Sequence, residues 1–377
     1  MQVDYIELPV PAPGTQRTLQ VLRFGTPGAR PKAYLQAALH ADEIPGLLVQ
    51  HKLVQKLQVA ERDALITGEI VVVPVANPIG SDQHLLGMHQ GRYEQASGIN
   101  FNRAYPELSD GIAERVSGRL GDDTQANTVA IRAAALDSLR EAPQSEDAVL
   151  KHTVLQLAID ADIVLDLHCD LEAVLHVYLG TPLWPAAQDL PAQLGAPVTL
   201  LASVSGGNPF DEACSGLWWA LAERFPHHPI EPACLAATVE LRGERDVHED
   251  LADDDARNLY RFLQRRGLIA GDAGTLPALL DSAKPLDGVA MVRSPRAGVV
   301  SYTVDPGAQV SSGDLLAVVN DPLQHDAQAA RVEIRSPIDG LLFARRSDRL
   351  ARPGQTLCRV AGDESLPERA GKPLLSD

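Results

Sequence analysis

Asp162-Ile-Val-Leu-Asp-Leu-His168 is the stretch on which the reading of the fold turns. It is a short, almost unbroken apolar run, the pattern of a strand buried on both faces of a sheet. Upstream, Val149 to Ala161 carries helical spacing and leads into it; downstream, Val174–Leu179 and Cys234–Leu241 read as further strands and Leu251–Leu268 as a closing helix. Toward the N-terminus, Ala33–Leu39 is a second buried strand, and Ile44, Leu47, Leu48, His51, Val54 and Leu57 come after it at helical intervals. Glu69–Val75 is another strand, stopped by Asn77-Pro78-Ile79-Gly80. Strands alternating with helices predict an α/β fold, a mixed sheet covered by helices on both faces. Residues 81–122 have little periodicity and are expected to be mainly long loops, which in compact domains tend to carry function.

The pattern changes near Ala273. Residues 273–287 read as a linker, and the chain beyond them is a series of short strands punctuated by glycine and Pro-Gly. Arg293-Ser-Pro-x-x-Gly298 recurs as Arg335-Ser-Pro-x-x-Gly340, and Gly313-Asp-Leu-Leu-Ala-Val-Val319 as Gly354-Gln-Thr-Leu-Cys-Arg-Val360. The 377 residues are therefore expected to divide into an α/β catalytic domain over 1–283, a pseudo-two-fold all-β barrel-sandwich module over 287–362 and a loose tail over 363–377. The module resembles biotinyl and lipoyl carriers, but no lysine occurs between Lys284 and Lys372 to take a cofactor. Shaping the site, or contacts within a homo-oligomer, remain as its roles.

With 33 Lys and Arg against 50 Asp and Glu, the formal net charge is −17, which argues against nucleic acid or an anionic membrane as partner. An anionic ligand would have to be captured by a few focused cations. Cys169, Cys214, Cys234 and Cys358 lie far apart and read as free thiols of a reducing compartment. The opening MQVDYIELPV lacks a basic-then-apolar run, and no apolar stretch reaches the roughly 20 residues of a membrane helix. A cytoplasmic location is the expectation.

Chemistry concentrates where strands end. His40 and Glu43 form an H-x-x-E pair at a strand-to-helix junction, and His168 closes the Asp162–Leu167 strand. Open α/β sheets gather ligands at the carboxyl ends of their strands, so these segments can converge. Two imidazoles, one carboxylate and a position left for water are the ligand set of hydrolytic zinc. A second such pair, His228 and Glu231, lies in the Pro-flanked PHHPIEP loop with no strand before it and reads as accidental. Glu240, at the end of another apolar strand, is costly there unless used or paired, with Arg242 or Arg245 as the simple partners. In use, it would be the general base for the water. In the long loop, Asn102-Arg103 can grip a carboxylate through a planar fork and an amide donor, and Arg92 adds a further cation.

His-x-x-Glu after a strand, Asn-Arg-x-Tyr-Pro in a loop, Asp-Leu-His at one strand end and Val-Glu-Leu at a later one together resemble the succinylglutamate desuccinylase/aspartoacylase family, relatives of the zinc carboxypeptidases. The resemblance spans nearly the whole chain. It implies one zinc ion on His40, Glu43 and His168, Glu240 as base, Asn102 and Arg103 on the substrate carboxylate, and Arg92 at the oxyanion. One departure stands out. The family's aspartate two residues before that asparagine is Asn100 here; its amide oxygen can accept a ring N–H but brings no charge. Asp166 and Asp42 are substitutes, each with a simpler reading as a strand-end and a helix N-cap residue.

The expected function is zinc-dependent hydrolysis of a small, anionic N-acyl amino acid or related carboxylate at its linear amide bond. Two rivals stay open: a metallocarboxypeptidase acting on short peptides, and a non-catalytic protein that binds a small ligand or partner. Cys169 beside His168 reads as a core thiol, His84 and His89 as solvated loop residues, and 203–216 as an added pocket wall.

Overall fold

The computed structural model describes residues 1–374. Its main sheet uses β1 (Gln2–Glu7), β2 (Thr18–Gly25), β3 (Lys32–Ala37) and β4 (Glu69–Val73). After a small hairpin of β5 (His84–Leu85) and β6 (Met88–His89), it continues with β7 (Ile163–Asp170), the short β8 (Glu172–Ala173) branching away, β9 (His176–Leu179), β10 (Val198–Leu201), β11 (Leu235–Gly243) and β12 (Lys284–Pro285). The nine strands run β1-β2-β4-β3-β7-β11-β9-β10-β12. Pairing is parallel from β4 through β3 and β7 to β11, and antiparallel at β1/β2, β2/β4 and β11/β9. The sheet is mixed, as the alternation of elements predicts.

Both faces are covered, and the strands show why they read as unbroken apolar runs. On β3 and β7, Ala33, Leu35, Ala37, Ile163, Leu165 and Leu167 pack to one side. There they meet α1 (Pro45–Arg62), and, further along the sheet, α6 (Asp189–Leu194) and α8 (Glu249–Arg265). Tyr34 and Val164 face the other way, toward α3 (Ser109–Val116), α4 (Thr124–Ser138), α5 (Glu146–Ala158) and α7 (Phe210–Arg224). Alternate residues of a strand point to opposite faces, so a sheet clad on both sides needs apolar residues at every position.

Beyond residue 288, β13 (Val289–Arg293), β14 (Gly298–Tyr302), β15 (Gln309–Val310), β16 (Leu315–Asn320), β17 (Arg331–Arg335), β18 (Gly340–Arg345), β19 (Leu350–Ala351) and β20 (Thr356–Ala361) form two antiparallel sheets. Their orders are β13-β20-β18-β15 and β17-β16-β14-β19. Exchanging the two sequence repeats converts one order into the other. β8 pairs with the edge of β18, so the chain leaving β7 is stitched directly to these sheets. Glu172 on β8 adds ion pairs to Arg345 at 2.6 Å and Arg349 at 2.7 Å.

Several expectations are corrected. The region 81–122 is mainly loop as expected, but it also holds the β5–β6 hairpin and α3, whose Ile112, Ala113 and Val116 are buried. The linker reading of 273–287 misses β12, which adds in parallel to β10. Residues 363–374 form no strand or helix but are not loose, because backbone and Arg369 hydrogen bonds tie them down; residues 375–377 lie outside the described residues. Among the described residues no helix is long and apolar enough to cross a membrane.

Candidate active site

Parallel β3, β7 and β11 lie side by side, and their carboxyl ends bring three functional groups together. His168 and Glu240 are direct register partners across β7 and β11. His40 comes after β3 beyond Ala38, which adopts a left-handed φ of 57°. Ala104 and Arg242, next to or near Arg103 and Glu240, do the same at φ 57° and 65°. Such strain in residues with a Cβ clusters where a backbone is held for a purpose. Asp42 does not cap α1; Ile44 occupies that position without a side-chain cap, and Pro45 begins the helix.

His40 Nδ1 lies 2.9 Å from Glu43 Oε1, and His168 Nδ1 lies 2.7 Å from Glu43 Oε2. Of the outer ring nitrogens, His40 Nε2 donates to Asn100 Oδ1 at 2.8 Å, while His168 Nε2 has the fully buried Asp166 carboxylate 2.9 Å away as an ion-pair contact and the Asn102 Nδ2 amide 3.5 Å away. A carboxylate only accepts, so the Asp166 carboxylate beside Nε2 favours a ring proton on that side, and Nδ1 faces Glu43. Asn100 Oδ1 also accepts the Asn102 N–H at 2.8 Å, which identifies it as the oxygen end of the amide. Burial opposes the charge on Glu43, yet the adjacent imidazoles of His40 and His168 hold its carboxyl well below the usual range. Three buried donors, with their lone pairs gathered within 4.8 Å of one another and their far atoms fixed, form a group that could hold a metal ion.

Arg92 reaches this cluster because its loop passes very close to the His40 segment. Gly91 O accepts from Ala41 N at 3.0 Å, and a Cβ on Gly91 would stand 2.1 Å from Asp42 N. Arg92 Nη1 is 2.9 Å from Glu43 Oε1 and 3.2 Å from His40 Nδ1. Glu240 is not engaged by Arg242, which pairs with Asp255, and its Oε2 has no hydrogen-bond partner among the described residues. Burial, reinforced by the Glu43 charge, pushes the Glu240 carboxyl up to about 8. Asn102 Oδ1 accepts the Phe210 N–H at 2.9 Å, which leaves the amide nitrogen as its donor into the cavity.

All seven residues singled out from the sequence, His40, Glu43, Arg92, Asn102, Arg103, His168 and Glu240, line one cavity of about 590 Å³. The 203–216 segment also supplies wall residues, including Ser205, Pro209 and Glu212. Cys169 is buried as expected, although it lines the cavity and its N–H meets Glu43 Oε2 at 3.1 Å. His84 and His89 stack on each other in the hairpin and do not line the cavity, and neither does His228. Sequence reasoning assigned no role to five residues around the site. Lys151 on α5 donates to the carbonyls of Asn100 and Arg103, at 3.1 and 2.8 Å. Asp211 faces the cavity with its carboxyl pushed up to about 7 by burial. Arg293, Arg346 and Arg359 reach it from the C-terminal sheets.

Comparison with known proteins finds likenesses of sequence and fold. Residues 29–138 match the succinylglutamate desuccinylase/aspartoacylase catalytic domain. A solved protein of that family from Shewanella amazonensis superimposes with a TM-score of 0.84 at 28% identity, covering 96% of this chain and 98% of its own. Residues 29–138 thus match that family's catalytic domain, and the chain resembles this solved family member over nearly its whole length. A second family structure, from Shewanella frigidimarina, shares the fold with a TM-score of 0.84 at 24% identity, covering 96% of each chain. The N-alpha-acetyl-L-2,4-diaminobutyric acid deacetylase of Halomonas elongata is 24% identical over 341 residues, 89% of this chain and 83% of that protein. That Halomonas protein is, by its name, a deacetylase.

Proposed function

We propose that the protein is a zinc-dependent deacylase that cleaves the amide bond of a small N-acyl amino acid. The observation that carries this is the position of Glu240 directly beside the His40–Glu43–His168 cluster, in a cavity that also contains the Asn102–Arg103 pair. Zinc held by His40, Glu43 and His168 would polarise the scissile carbonyl and acidify a water molecule. Glu240 takes the proton of the attacking water and delivers it to the leaving nitrogen. The Arg92 guanidinium donates to the oxyanion as it develops. The Arg103 fork and the Asn102 amide N–H₂ hold the carboxylate, which fixes the amide against the base. The name of the Halomonas relative supports an N-acetylated amino acid as the first substrate to try.

A panel of N-acyl amino acids and dipeptides, assayed with zinc and with a chelator, tests the reading. Zinc-dependent release from N-acyl amino acids supports it. Cleavage of dipeptides alone identifies a carboxypeptidase, and a chain without zinc that is inert to both is a binding protein.

The groups around the site set two expected results. Arg103→Met should raise KM about 10- to 100-fold for a carboxylate substrate, the range of a charge-assisted hydrogen-bonded contact, and leave its α-carboxamide analogue nearly unchanged. Equal effects on both would remove Arg103 from carboxylate binding. Asp166→Asn should weaken zinc affinity about 10- to 100-fold in chelator competition, because an amide in place of the carboxylate no longer supports the His168 ring with a charge. Unchanged affinity would show that the Asp166 charge does not tune the site.

A further inference from the structure

We infer that the C-terminal segment 366–374 is a strap that positions Arg103, through which the sheets beyond residue 288 act on substrate capture. The inference rests on Arg103 holding the substrate carboxylate, as proposed above.

The contacts form an unbroken chain. The segment is anchored on the start of the C-terminal sheets: Leu366 N donates to Asp287 O at 3.1 Å, and the Arg369 guanidinium donates to the carbonyls of Val289 and Leu374. Its far end reaches the cavity wall, where Leu374 N donates to Ser205 O at 2.7 Å. Pro373 presses on Gly206 so closely that a Cβ there would lie 3.0 Å from the proline Cβ. Gly207, next along, passes against Arg103: a Cβ on it would lie 2.6 Å from Arg103 Cδ. The same loop is the template for the Asn102–Arg103 loop. Ala104 N donates to Gly207 O at 2.7 Å, Tyr105 N to Asn208 O at 3.2 Å, and Asn208 Nδ2 to Tyr105 O at 2.8 Å.

The composition of the loop explains why it needs a strap. Gly206 and Gly207 adopt φ of 108° and 74°, the left-handed region that glycine enters without choosing it strongly. Residues 202–209 belong to no helix or strand, and Val204 is exposed, so little apolar burial fixes this path. The Leu374 and Pro373 contacts select it from outside. The strap touches no reacting group, so its effect belongs in KM and not in kcat.

The test is kinetic, on the full chain with zinc. Arg369→Met, which frees the strap, should raise KM for an N-acyl amino acid about 3- to 10-fold, with kcat changed less than about 2-fold and the α-carboxamide analogue unaffected; these sizes are those of one or two ordinary hydrogen bonds. Leu374→Pro, which deletes the N–H that meets Ser205, is the second variant and should give the same split if Arg369→Met does not fold. In an Arg103→Met background, Arg369→Met should add nothing. A loss in kcat, an equal effect on the carboxamide, or effects that multiply in the double variant would each overturn the strap. A discriminating Arg103→Met with silent Arg369→Met and Leu374→Pro overturns the strap alone. An Arg103→Met that does not discriminate overturns the carboxylate reading and the strap with it.

Discussion

Glu240→Gln is expected to leave a folded protein with its full zinc content and a kcat lower by about 10²- to 10⁴-fold, the usual contribution of a positioned general base. The substitution is nearly isosteric, and Glu240 takes no part in an ion pair with Arg242, so that contact is not at stake. What is lost is the proton acceptor. The pH profile carries the sign. A base works only when deprotonated, so activity falls as pH drops through the Glu240 pKa. Burial raises that pKa to about 8 in the metal-free chain, and a cation at the neighbouring cluster lowers it by favouring the carboxylate. The acid limb of kcat/KM should therefore lie below 8 and vanish in the variant. Near-full turnover in Glu240→Gln, measured beside its zinc content, would assign the base elsewhere.

How much of this was legible in the sequence depends on how far each role is local. His168 and Glu240 announce themselves because a polar residue at the end of an apolar strand is costly unless it is used. Asn100 could be assigned to a ring N–H because a motif fixes its distance from Asn102, and it does accept from His40. Lys151 could not be read, since a lysine on an amphipathic helix is usually solvated, and only tertiary packing aims this one at two loop carbonyls. Asp42 went the other way: a helix N-terminus invites a cap, but the sharp entry through Ile44 and Pro45 leaves it out. The linker and tail failed for the same reason. A two-residue strand and a strap have too few residues to carry a period, and their partners, β10 and Ser205, are distant in sequence.

Removing zinc should abolish turnover and lower thermal stability, and the two readouts together distinguish a resident ion from an incidental one. A ligand that binds only the folded chain stabilises it by RT ln(1 + [L]/Kd), about 4 kcal/mol at a thousandfold excess over Kd. Among the donors, Glu43 is already held ionised by its two histidines and is therefore ready to bind a cation at neutral pH. The unfolding temperature should then climb with each decade of added zinc above Kd. His168→Ala should lose activity in a way that zinc does not restore, because it deletes a ligand and also strips the fully buried Asp166 of the ring N–H it faces. An unpaired buried charge is itself destabilising by about 3–5 kcal/mol, so this variant should melt below the chelator-treated chain and not merely match it. Turnover that survives the chelator, with a melting temperature indifferent to zinc, would leave His40, Glu43 and His168 as a structural hydrogen-bonded cluster and remove the metal from the proposed function.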